Sequence, residues 1–182
     1  MATNKTCLGK LVTNIRVNCG IPQHGIEEML VADFEDINTI VEDGNEVSEI
    51  TFGGVSGSGA PILVETFKLT AQVVEALRSL DGGSALQQTV NFTVYDKKKY
   101  GSIISAFMNK RLLIIAKHRE VGLYKVYGAR CGLEIVASDI DSNDAGGYAK
   151  LSFTTPEGAQ GESSLSISSS LYESYKALVP IN

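Results

Sequence analysis

The sequence predicts a mainly β fold, an antiparallel β-sandwich or barrel with one flanking α-helix at about residues 97–110. Three observations carry this expectation. Short runs alternate apolar and polar residues at period two, turn residues recur at intervals of about ten positions, and one segment holds a full helical stripe. The chain has 182 residues, enough for a single domain with its own core. Neither an internal repeat nor a linker divides it. The expected organisation is an N-terminal arm over 1–25 and one β-rich domain over 26–182, with a loop at 53–61.

Residues 1–25 are polar and mixed, and Leu11, Ile15 and Val17 are compatible with a short strand inside the arm. Strand signals begin at Gly25. Residues 26–34 mix apolar and acidic positions, and 36–41 repeat the style. Asp43-Gly44 is a hairpin dipeptide that sends the chain back along 47–52. The glycine- and serine-rich stretch 53–61 reads as a flexible loop. In 62–70, Leu63, Phe67 and Leu69 are apolar while Thr66, Lys68 and Thr70 are polar, as in a strand. Residues 71–80 stay open between two readings. Val73, Val74, Leu77 and Leu80 fit a helical stripe, yet the run also extends the preceding strand.

The clearest strand covers 88–95, where Val90, Phe92 and Val94 alternate with Thr89, Asn91, Thr93 and Tyr95. Asp96 can cap the helix that follows, with Tyr100, Ile103, Ile104, Phe107 and Met108 on one face. Residues 112–116 are continuously apolar, the mark of a strand buried on both faces. Further strands are expected over 121–127, 133–140 and 148–155. The serine-rich run 163–170 and the tail 171–179 give no decisive pattern.

Composition narrows the function classes. The net charge is −5, and the basic groups Lys97-Lys98-Lys99, Lys110-Arg111 and Lys117-His118-Arg119 read as solvated faces beside a helix and a strand. Cys7, Cys19 and Cys131 form neither a CxxC pair nor an even set, so a reducing cytoplasm is the expected compartment. The N-terminus leads into no apolar signal segment, and no apolar run approaches the ~20 residues of a membrane helix. The expectation is a soluble chain without a membrane segment.

Candidate chemistry fails on detail. His24 and His118 have no cysteine at ligand spacing and read as solvent-facing. Cys131 reads as a buried or turn cysteine, with no base identifiable nearby. The glycine loop lacks the GKS/T ending of a phosphate loop and runs through Ala60-Pro61 into a strand. Gly54-Val55-Ser56-Gly57-Ser58 misses the last glycine of a nucleophile elbow. Asp139, Asp141 and Asn143 begin like a calcium loop, but Asp144 and Lys150 stand where a glycine and a glutamate belong. Glu27-Glu28 and Asp33 with Asp36 do not form the opposed carboxylates of glycoside hydrolysis. The expectation is therefore no enzyme, no catalytic residues, no cofactor and no metal.

From residue 88 onward a further pattern emerges. The alternating strand passes through Asp96 into an amphipathic helix, then into Leu112-Leu113-Ile114-Ile115-Ala116. Tyr124-Lys125-Val126-Tyr127-Gly128 and Gly132-Leu133-Glu134 follow, and an acidic-glycine hairpin over 141–147 precedes Tyr148-Ala149-Lys150-Leu151-Ser152-Phe153. With Gly25-Ile26-Glu27-Glu28 and 32–37 earlier, this order of elements resembles the tail tube-like structural proteins of phages that infect Bacteroides-type gut bacteria, across roughly 25–160. The resemblance implies a homo-oligomer whose rings, hexameric in that family, stack into a DNA-conducting tube. It implies other phage tail proteins as partners, transient non-specific passage of DNA, assembly in the host bacterial cytoplasm and a place in the virion. The loop 53–61 and the arm become inter-subunit contacts, although 53–61 is short beside the long hairpin loop such subunits extend to the next ring. Other readings are a head–tail connector, tail terminator or capsid-associated protein, or a binding module for carbohydrate or peptide using Tyr124, Tyr127 and Tyr148.

Overall fold

A computed structural model describes residues 25–53, 59–66, 70–80, 83–94, 100–140, 149–159 and 161–180. The arm up to residue 24, the loop residues 54–58 and the acidic hairpin 141–148 lie outside the described residues. The fold is mainly β, as the patterning predicts. In chain order the strands are β1 (Ile26–Asp33), β2 (Ile37–Asp43), β3 (Glu46–Phe52), β4 (Ile62–Glu65), β5 (Gln72–Leu80), β6 (Gly83–Val94), β7 (Arg111–His118), β8 (Tyr124–Tyr127), β9 (Leu133–Ile140), β10 (Ala149–Thr154) and β11 (Leu165–Ile167). Two helices accompany them, α1 (Tyr100–Phe107) and α2 (Ser169–Lys176).

Strand order along the sheet is β2-β3-β11-β8-β7-β9-β10-β6-β5, with β1 joining β7 to β4. The path does not close into a barrel. It folds over where β9 leaves β7, after only Arg111↔Glu134 and Leu112↔Leu133 are paired. The result is sandwich-like: β6, β9, β10 and β5 lie across the larger group centred on β1 and β7. Nearly all pairs are antiparallel, and β11 with β3 is a parallel one.

β7 explains why the core has two compartments. Leu112, Ile114 and Ala116 face the second sheet, where they meet Val90, Phe92, Leu151 and Phe153. Leu113 and Ile115 face the other way, onto Val47, Ile50, Leu165, Tyr172 and Tyr175. A strand covered on both faces has no polar position to spare, hence its unbroken apolar run. In the inter-sheet compartment Phe92 and Phe153 stack with centroids 5.5 Å apart, and Phe107 of α1 meets Phe153 edge-on at 5.6 Å. Burying each ring contributes roughly 2–3 kcal/mol, so α1 closes this compartment.

A bulge in β1 sets which side chain goes where. The register slips between Ile26↔His118 and Glu28↔Lys117. Ile26 and Met29 therefore both reach the inter-sheet core, while Glu28 turns toward α2. β1 ends at Asp33, whose carboxylate accepts from the Glu35 N–H and caps a single 3-10 turn over Phe34–Asp36.

The structure corrects several expectations. Residues 72–80, left open between helix and strand, form a strand. Helix α1 ends at Phe107 rather than near 110: Asn109 has φ 62°, and this left-handed residue stops it. Met108 is exposed rather than part of the apolar stripe. The undecided tail forms β11 and a second helix, α2, so two helices flank the sheets instead of one. Ser168 caps α2 by accepting from the Leu171 N–H.

Candidate functional site

The densest set of reactive groups among the described residues lies at the seam between β8 and the β5–β6 pair. Lys125 and Tyr127 alternate along β8 onto the inter-sheet side, alongside His118 at the end of β7. His118 Nε2 lies 2.9 Å from the Tyr127 hydroxyl. Lys125 Nζ donates to Ser164 Oγ at 2.9 Å, and Ser164 Oγ donates to Glu75 Oε2 at 3.2 Å. The Ser164 N–H also donates to Glu75 Oε1, at 2.7 Å. Gln88, fully buried, donates through Nε2 to Glu75 at 3.4 Å and accepts from the Gly128 N–H at 2.9 Å.

Ser164 and Lys125 invite comparison with a serine–lysine pair, but an activated serine must give its proton to a free base. Here the serine oxygen accepts from an ammonium and its proton points to a carboxylate already receiving further donors. The arrangement is a strut tying β5 and β6 to β8 and the segment before β11. Burial pushes the His118 pKa down, and Lys125 adds to this against the smaller opposing pull of Glu120 and Glu75. Burial, with Glu75 beside it, raises the Tyr127 hydroxyl pKa. The expectation of a solvent-facing His118 is corrected: its ring is more than half sheltered and hydrogen-bonded.

Other sequence candidates also resolve into structural pairs. Glu28 is buried, and both its oxygens accept from Lys176 Nζ at 2.8 Å, with Lys117 at 3.7 Å. Lys110 pairs with Asp33, Arg111 with Glu134 at 3.2 Å and Lys117 with Glu27 at 3.2 Å. Cys131 sits in the turn between β8 and β9, where burial raises its thiol pKa ahead of the nearby Glu162 charge. That turn is gripped by Glu162, whose two oxygens accept from the Arg130 N–H at 3.0 and 3.1 Å. Tyr124 and Tyr127 project to opposite faces of β8, the first packing on Tyr172 at 5.0 Å and the second entering the inter-sheet core. They do not share a platform. His24, Cys7, Cys19, Tyr148 and the basic run 97–99 lie outside the described residues, as does 141–147. No helix among the described residues is long and apolar enough to cross a membrane.

What remains for function is edges. Among the described residues, β2 has only β3 beside it, β5 only β6, and β4 only β1. β5 is the longest of the three, and two of its apolar side chains stay in solvent: Leu77 is 69% exposed and Val74 40%. β10 accompanies β6 only from Val94 to Thr89, whereas β5 and β6 stay paired through Leu80↔Gly83. Six residue pairs, Glu75↔Gln88 to Leu80↔Gly83, therefore form a ribbon continuing past the last pair with β10. At its base a groove of about 570 Å³ is lined by Arg78, Leu86, Val136, Pro156 and Gly161, among others. Sequence reasoning missed this ribbon because the helical stripe in 71–80 hid its first strand. The signal available was Asp81-Gly82-Gly83 between two apolar runs. Comparisons with protein-family models, with curated proteins and with solved structures find no match to this chain.

Proposed function

We propose that the chain is a virion structural subunit, a tail tube protein that assembles into stacked rings through which DNA passes. The observation that carries this reading is the open-ended sheet path, in which, among the described residues, β2 at one end and β5 at the other each have a single strand beside them. Two different free edges on one subunit favour head-to-tail pairing, which closes into a ring when the rotation per subunit divides a full turn. Six copies is the number the family resemblance implies.

Soluble proteins usually blunt such edges with charge, brevity or proline. β5 is nine residues long, carries Val74 and Leu77 in solvent, and has no proline. The β5–β6 ribbon also offers the long hairpin that the 53–61 loop is too short to supply. Cations at Lys110, Arg111 and Lys117 are each met by a carboxylate, which suits a surface DNA slides along without capture. Negative-stain imaging of the purified protein tests the reading. Stacked hollow tubes are expected; a persistent monomer overturns it, and isolated rings that never stack favour a connector or terminator.

A further inference from the structure

Strand sense is inherited along a sheet, and in this chain it constrains how two copies can join. From β2 to β5 the path crosses seven antiparallel joints and one parallel joint, β3 with β11. An odd number of reversals leaves β2 and β5 running in opposite senses along the ladder. Rotation about a ring axis does not invert a strand, so β5 of one copy meets β2 of the next antiparallel. With β3 and β11 antiparallel instead, the same junction would be parallel, the less stable ladder.

Charge and exposed apolar residues select one register of that junction. Arg78 is exposed on β5 and forms no ion pair among the described residues. Nor do Glu35 and Asp36, in the turn that leads into β2. When all seven residues of an antiparallel β2 lie along β5 from Gln72, Ile37 falls opposite Arg78. Glu35 and Asp36 then come beside the guanidinium. The same register sets Val41 opposite Val74, joining two valines that the single subunit leaves exposed. Asp43 falls opposite Gln72 and Glu75 opposite Ile40, so no like charges face each other directly.

We infer that a second copy docks on the β5 edge through its β2 strand, antiparallel and with Ile37 opposite Arg78, so that Arg78 is held by Glu35 and Asp36 of that copy. Main-chain hydrogen bonds supply the pairing, and the ion pair selects this register over its slips. The inference rests on the assembling-subunit reading and names which surfaces of two copies touch.

Particle mass of the full-length protein against concentration tests it. Arg78→Glu and Glu35→Lys/Asp36→Lys are each expected to raise the concentration needed for assembly about tenfold, and their combination in one chain to restore it. Asp43→Lys/Glu46→Lys is the comparison, because a parallel junction would bring that hairpin end beside Arg78 instead. A second measurement does not depend on charge. In Val41→Cys/Val74→Cys, oxidised glutathione is expected to link adjoining copies into a ladder absent from the wild type, two thiols giving one disulfide and two reduced glutathiones. Rescue of Arg78→Glu by Asp43→Lys/Glu46→Lys overturns the inference, as does an assembled Val41→Cys/Val74→Cys chain that yields no ladder. Arg78→Glu assembling at the wild-type concentration overturns it as well. In each of those results the wild type still assembles and the subunit reading survives. A wild type that stays monomeric overturns both.

Discussion

Glu28 lies on the α2-facing side of β1 with Leu30, while the bulge beside it sends Ile26 into the inter-sheet core. Its carboxylate meets Lys176 and Lys117, beside the buried Tyr172 ring. Among the described residues the Tyr172 hydroxyl has no hydrogen-bond partner of good geometry, and burial together with the Glu28 charge raises its pKa. Removing one partner of a sheltered pair costs more than the pair contributes, because the other charge stays behind. Glu28→Gln is expected to lower stability by about 2 kcal/mol in urea unfolding, and Lys176→Met by less, since Lys117 remains. Two further residues set opposite pH responses. His118 has its folded pKa below 6.5, so the unfolded chain binds the extra proton first, and stability falls as pH drops from 6.5 through the folded value. Glu162 has its folded pKa above 4.5, through burial outweighing the Arg130 N–H bonds, so it weakens the fold as pH rises through that raised value. Thermal melts against pH are expected to flatten below 6.5 in His118→Gln while the Glu162 response persists.

At the scale of elements, α2 matters most among the parts the sequence concealed. The Tyr175 hydroxyl accepts from the Ile50 N–H at 2.5 Å, and its ring meets Phe52 edge-on at 5.2 Å. Helix and β3 are thereby locked together across the second core compartment. Tyr175→Phe keeps the ring but orphans a buried N–H, so a loss of about 1–3 kcal/mol in chemical denaturation is expected. Ser168→Ala removes the cap and is expected to cost about 1 kcal/mol. Why α2 was illegible follows from its composition: Ser-rich turns favour caps and loops locally, and only packing on Val47, Ile50 and Leu165 stabilises the helix. β7 was legible for the opposite reason, since burial on both faces leaves an unmistakable apolar run. β5 stayed undecided because an edge strand need not alternate strictly. Val74 and Leu77 are left in solvent, so no core enforces period two. Of the candidate site, the seam around Glu75 was not legible. Its members come from β5, β6, β8 and the segment before β11, and only the fold assembles them.

For the whole molecule, two cores share one central strand, and among the described residues the sheet that runs through both ends in edges with no further strand beside them. On the proposed function, stability and association therefore separate: the cores hold the subunit, while β5 and its ribbon carry the proposed contact with a neighbour. Leu77→Lys is expected to leave the melting temperature nearly unchanged, because the side chain is already in solvent, and to abolish assembly by putting charge on the joining edge. The most direct test is the mass and shape of the particles formed by pure wild-type protein and by Leu77→Lys, measured side by side. The account predicts rings stacking into hollow tubes for the wild type and folded monomers for the variant. A wild-type chain that stays monomeric at every concentration, or a variant that assembles as well as the wild type, contradicts it.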